Sequence, residues 1–152
     1  MTLPVIMDIR KLNKKIKSRG IKHFQAEELG KHYNAKWKGD NFILPPESMW
    51  GNMMNTLRLA DEIREELGKP LIVWSAYRSP EYNKTIGGSS NSQHKQFRAL
   101  DLHVQGDNFM MLISTAAKLV QKYRNNGYEV GLGIYPNFIH IDVGFKSRFW
   151  VG

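Results

Sequence analysis

Two histidines and an aspartate, His94, Asp101 and His140, are the residues of this chain whose types could assemble a reactive centre. The first two share the segment Ser92-Gln93-His94-Lys95-Gln96-Phe97-Arg98-Ala99-Leu100-Asp101, and the third lies in Asn137-Phe138-Ile139-His140-Ile141-Asp142-Val143-Gly144. Two imidazoles and one carboxylate would give a tetrahedral zinc ion three ligands and leave the fourth position open, which is what separates a catalytic zinc from a structural one. Asp142 lies two residues beyond His140, so on a strand both side chains face the same way, and a second carboxylate comes within reach of a water at the open position. It is the candidate general base. Arg78, in Ser75-Ala76-Tyr77-Arg78-Ser79-Pro80, leaves an apolar strand where the chain must change direction. A guanidinium there could clamp a substrate carbonyl and stabilise developing negative charge, or simply pin the loop through a salt bridge. Tyr77, Ser92 and Gln93 are candidates for substrate contact or for orienting His94. His103, two residues past Asp101, reads as a supporting polar group, whereas His23 and His32 read as surface residues.

The elements that must position these groups follow from periodicity. Ile9, Leu12 and Ile16 recur at helical spacing up to Gly20, which predicts an amphipathic helix over 8–19. A short helix is expected over 25–32, and Pro45-Pro46 opens a longer one whose stripe runs from Met49 through Met53, Leu57, Ala60 and Ile63 to Leu67 before Gly68 and Pro70 end it. Residues 71–77 are β-branched and aromatic between prolines and read as a buried strand. Gly87-Gly88-Ser89-Ser90-Asn91-Ser92 is a loop, from which a mobile His94 could approach a metal. Residues 99–104 form a second strand, 108–124 a helix, and 130–135 and 138–143 a hairpin joined through Pro136-Asn137. Helices first, then strands around one helix, predict an α+β fold: a mostly antiparallel sheet packed against helices in a single domain.

Composition narrows the function classes. A chain of 152 residues with 41% hydrophobic and 24% charged residues buries an adequate core without staples. No apolar run approaches the roughly 20 residues of a membrane helix, so no membrane insertion is expected. Residues 1–10 lack the apolar core of a signal peptide, which predicts synthesis in the cytoplasm. The absence of cysteine excludes disulfides and thiolate metal sites, leaving histidine and carboxylate as the ligands of any metal. A formal charge of +8, concentrated at residues 10–19 and 31–38, either draws polyanions such as anionic cell-wall polymers or is a solvated face that only confers solubility. Nucleic acid is not expected, because the lysine-rich helix lacks interleaved aromatic residues.

Several ordered segments resemble one known family. Tyr77-Arg78-Ser79-Pro80-Glu81-Tyr82-Asn83, Gly87-Gly88, Ser92-Gln93-His94, Gly131-Leu132-Gly133-Ile134-Tyr135-Pro136, His140-Ile141-Asp142-Val143-Gly144 and Arg148-Phe149-Trp150 are similar to segments of the zinc peptidases that cut peptidoglycan. These are the D-alanyl-D-alanine carboxypeptidases, vancomycin-resistance dipeptidases and bacteriophage L-alanyl-D-glutamate endolysins, which share a fold with the Hedgehog signalling domain. The family pattern Ser-x-His-x-x-Gly-x-Ala-x-Asp implies that His94 and Asp101 bind Zn2+, with His140 as third ligand, in the short subgroup ending His-x-Asp. The resemblance implies one monomeric peptidase domain over 1–152, with a basic N-terminal helix over 1–22 and a peptidase core over 23–152. Its expected partner is bacterial peptidoglycan, cut in its stem peptides by a phage endolysin, a virion-associated lysin or a carboxypeptidase. Two positions depart from the pattern. Phe97 stands where glycine is usual, which predicts a repacked loop, and Asn137 stands where several relatives carry an acid three residues before the last histidine. A non-hydrolytic wall-binding or structural virion module that retains the metal site is the alternative.

Overall fold

Alternation along two strands, Ala-Leu-Asp-Leu-His and Ile-His-Ile-Asp-Val, decides how the other elements pack. The computed structural model describes residues 1–152. Its regular elements are α1 (Leu3–Ser18), α2 (Gly51–Leu67), β1 (Ile72–Ser75), α3 (Pro80–Thr85), β2 (Ala99–His103), α4 (Phe109–Asn125), β3 (Val130–Ile134), β4 (Ile139–Val143) and β5 (Arg148–Val151). The strands form one sheet in the order β1-β2-β4-β3-β5, with three antiparallel neighbours and one parallel pair, β3 with β5. The α+β expectation with a mostly antiparallel sheet holds.

On one face of this sheet Leu100, Leu102, Ile139, Ile141 and Leu132 are buried in the core, against which α2 and α4 pack. The opposite face carries Asp101, His140 and Trp150 in register across β2, β4 and β5, with Gly133 of β3 between the last two. Thr56 of α2 is fully buried and serves both central strands. Its hydroxyl donates to Arg98 O at 2.6 Å and accepts from Val143 N at 3.0 Å. Leu12 and Ile16 tie α1 into the same buried cluster.

Several elements differ from the sequence expectation for identifiable reasons. The first helix begins at Leu3, because a proline in the first turn needs no N–H partner there. The helix expected over 25–32 is only a 3-10 turn, Ala26–Glu28. A capping box between Gln25 and Glu28 starts it, and the chain then extends so that Lys31 pairs with Phe42. Gly30 permits this close approach, since a Cβ there would lie 2.7 Å from Ile43 O. Pro45-Pro46 leads first into a 3-10 turn, Glu47–Met49, and α2 follows. Two elements went unanticipated: α3, capped by the Ser79 hydroxyl accepting from Tyr82 N, and the edge strand β5. His32 is not a surface residue. It is fully buried, with Nδ1 2.9 Å from Gly30 O and Nε2 accepting from Ser79 N at 3.2 Å, and its ring packs 4.2 Å from that of Tyr82.

Candidate metal centre

His94, Asp101 and His140 converge from a loop and two adjacent strands. One ligand atom of each lies within 4.8 Å of the other two, and all three residues are buried. The β2–β4 register sets Asp101 directly opposite His140, so antiparallel pairing alone brings together two residues distant in sequence. His94 arrives from the turn between α3 and β2. Three contacts hold it: Arg78 N donates to its carbonyl at 3.1 Å, its own N–H meets Ser92 Oγ at 3.2 Å, and its ring Nδ1 lies 2.7 Å from Ala76 O.

Hydrogen bonding on the far side of each ring assigns the tautomers. Ala76 O can only accept, so His94 carries its proton on Nδ1 and turns the Nε2 lone pair toward Asp101 Oδ1, 3.1 Å away. Asp142 Oδ2 sits 2.7 Å from Nε2 of His140, which places that proton outward and leaves Nδ1 facing the same Asp101 oxygen at 3.1 Å. Two bare nitrogen lone pairs and a carboxylate oxygen aimed at one another repel unless a cation lies among them. The donor set fits a zinc ion held by two histidines and a carboxylate, and the outer partners are those that orient metal-ligating histidines.

Without a cation among them, Asp101 and His140 are coupled through protons instead. Burial pushes the His94 imidazole below its ordinary value and so favours its neutral form. Burial alone would raise Asp101, but the charges and hydrogen bonds of His94 and His140 outweigh it and hold the carboxyl well below the usual range. Burial likewise opposes a charged His140, yet the two flanking carboxylates raise it overall. Arg78 donates to Asp101 Oδ2 at 3.2 Å and to Ser75 Oγ at 3.0 Å, so the oxygen facing the histidines and the oxygen facing Arg78 are different. Asn83 lies 3.4 Å from Arg78 Nη1, and any side chain at Gly88 would collide with that asparagine.

Asp142 does not face the point on which His94, Asp101 and His140 converge. It is fully buried behind His140, with Arg148 gripping Oδ1 at 3.0 Å and Oδ2 at 2.6 Å. Burial would raise its carboxyl, but the hydrogen bonds from His140 and Arg148 lower it. The carboxylate has no exposed surface and does not line the cleft, so its contacts are with His140 and Arg148. Arg148 comes from β5 and must cross β3 to reach it. It does so because β3 has glycine at two alternate positions: a Cβ at Gly131 would lie 2.7 Å from the Arg148 guanidinium, and one at Gly133 would strike the Trp150 indole. That glycine spacing was the sequence signal for Arg148 and Trp150 as site residues, and it is readable only once β5 is known to lie beside β3.

The centre opens into a cleft of about 890 Å³. Its walls carry four cationic side chains, Arg78, Arg98, Lys146 and Arg148, and a single carboxylate, Asp101. Ser92 and Gln93 line it, and Gln93 Oε1 accepts from Arg98 at 2.6 Å. Tyr77 does not: it is buried, with its ring 6.0 Å from that of Phe97. His103 is on the same sheet face as Asp101 but is engaged with Asn137 O at 2.6 Å. Phe97 has a left-handed backbone (φ 54°), the conformation that favours glycine, and its ring is wholly enclosed in the core. The phenylalanine thus occupies a glycine-type backbone conformation with its ring in the core and out of the cleft.

A family model described as Peptidase M15 matches residues 22–142, which spans β1 to β4 and all three converging residues. The chain belongs to the Peptidase M15 family. Over 133 residues, 84% of the chain, this M15 member is 30% identical to the zinc D-Ala-D-Ala carboxypeptidase of Streptomyces albus G. It spans about half the length of that relative, 48%. No helix of this M15 member is long and apolar enough to cross a membrane.

Proposed function

We propose that this chain is a zinc-dependent peptidase that hydrolyses peptide bonds in the stem peptides of bacterial peptidoglycan. The observation that carries the reading is the convergence of His94 Nε2, Asp101 Oδ1 and His140 Nδ1 on one point at the floor of a cationic cleft. The 30% identical relative, a zinc D-Ala-D-Ala carboxypeptidase, supports the same metal and substrate class. Bound zinc would supply Lewis acidity and a nucleophilic water near neutral pH. Ala76 O and Asp142 keep the two imidazoles in the tautomers that present lone pairs, and Arg148 offsets the charge of the enclosed Asp142. Arg78, fixed by Ser75 and Asp101, offers its guanidinium to the substrate carbonyl as negative charge develops. Arg98 and Lys146 extend the positive wall toward carboxylate-bearing peptide.

An endolysin or virion-associated lysin reaches the wall from inside a host or from a particle, and a carboxypeptidase trims stem ends. The mass of the released fragments tells these apart. Zinc-loaded protein is incubated with purified peptidoglycan, with and without chelator, and the soluble muropeptides are weighed by mass spectrometry. Cleavage that chelator abolishes and zinc restores is expected, and intact stems after treatment with fully loaded protein overturn the reading. One observation favours a second reading, a wall-binding module that keeps its metal without hydrolysis: no carboxylate other than Asp101 lines the cleft. Such a module would sediment with wall material and release nothing.

A further inference from the structure

Beside the metal row on the open face of the sheet lies a second row whose chemistry the peptidase reading does not use. Each member is displaced by two residues along its strand or strand extension: His103 from Asp101, Phe138 from His140, and Tyr135 from Gly133. Two residues along a strand is about 6–7 Å. Trp74 of β1 completes the row. Its indole stacks on the His103 ring with centroids 4.2 Å apart and planes 17° apart, and it lies 5.7 Å from the Phe138 ring. Phe138 in turn stacks on Tyr135 at 4.5 Å and 5°. Four rings thus adjoin one another without a break. Tyr135 and Phe138 form part of the cleft wall, while Trp74 is 48% exposed at the far end.

The row is also rigidly held. His103 Nδ1 is fixed to Asn137 O, Tyr135 N donates to Phe138 O at 3.0 Å, and Tyr135 Oη accepts from Trp150 Nε1 at 2.9 Å. It contains no lysine, arginine or carboxylate, in contrast to the Arg98, Lys146 and Arg148 end of the same cleft. One end is built for charged peptide and the other for a neutral ligand with flat apolar faces. Pyranose rings present C–H faces of that kind and carry hydroxyl and amide groups at their rims, and tryptophan and tyrosine likewise pair an apolar face with a polar handle. In peptidoglycan every stem peptide is attached to such a sugar, so a cleft that holds the stem has a saccharide close by.

We propose that Trp74, His103, Phe138 and Tyr135 form a platform for the N-acetylated amino-sugar strand of peptidoglycan, continuous with the cleft that takes its peptide. The choice of ligand rests on the peptidoglycan reading above; the ring geometry does not. The test uses glycan strands stripped of peptide by an amidase, titrated into the full chain in the presence of chelator and followed by calorimetry. Wild-type protein is expected to bind them, Trp74→Ala to bind about tenfold more weakly, and Trp74→Phe, which keeps a ring, to stay within about threefold of wild type. Circular dichroism confirms that the variants are folded, and Trp74 is exposed enough for its loss to leave the core intact. No binding by wild type, or equal binding by wild type and Trp74→Ala, overturns the platform. Hydrolysis of free stem peptide by zinc-loaded wild-type protein is measured separately. Glycan binding without hydrolysis removes the peptidase reading and leaves the platform, whereas hydrolysis without glycan binding removes the platform alone.

Discussion

The two sides of the cation site are built by different means. On the loop side His94 is held by neutral backbone: the Ala76 carbonyl behind its ring, Arg78 N on its carbonyl, and the buried Phe97 three residues on that pins the turn to the core. On the sheet side Asp101 and His140 face each other across a strand pair, and charge does the orienting, through Asp142 and the two-pronged grip of Arg148. A carbonyl cannot be titrated or deleted by a side-chain change, so the loop side should fail through packing and the sheet side through charge. The contrast also explains why one ligand tolerates residence in a turn. The residue is 2% exposed, and its N–H, its carbonyl and its ring Nδ1 each have a partner.

Four variants break or sharpen this contrast. Asp101→Ala has the largest expected effect, since it removes the only anionic ligand and strands the Arg78 guanidinium. Zinc affinity should drop by more than about 100-fold, beyond the range seen when only an orienting partner is lost. Competition against a chromophoric chelator measures it. Asp142→Asn keeps the shape of the orienting group but removes its charge, and a loss of roughly 10–100-fold in zinc affinity is expected. Wild-type zinc affinity with only kcat reduced would instead return Asp142 to the role of base.

The loop side should respond in folding stability. Phe97→Gly relieves a left-handed backbone worth about 1 kcal/mol but forfeits a fully buried ring worth about 3–5 kcal/mol, for a net loss of roughly 2–4 kcal/mol in urea unfolding. Zinc affinity should change less than for Asp142→Asn, because the ring does not touch the cleft. The smallest effect concerns His32, which supports Ser79 beside Arg78. Burial lowers its proton affinity below that of the unfolded chain, so the unfolded state binds more protons and stability falls as pH drops below about 6.5. With chelator present, His32→Gln should unfold with a shallower dependence between pH 7 and 5.5, the difference not exceeding about 1.4 kcal/mol per pH unit.

Much of this was legible in the sequence, for particular reasons. Alternation in Ala99–His103 and Ile139–Val143 told which side chains share a face, and antiparallel pairing of those strands was enough to join Asp101 to His140. The stop at Gly68 was equally plain, since its φ of 69° suits glycine. β5 was not legible. Arg148–Val151 is short and half exposed, and its value comes from lying parallel to β3, a non-local pairing that no local pattern encodes. His32 was misread because a histidine beside lysines looks solvated until the Ser79 turn closes over it.

The sequence by itself determined the donor types, their distribution over one loop and two strands, and the exclusion of thiolate chemistry, because these depend only on residue identity and on a period of two. Only the tertiary structure decided what Asp142 can do. A carboxylate two residues from a ligand can face water or be gripped by an arginine, and here Gly131 on β3 leaves the room through which Arg148 reaches it from the edge of the sheet.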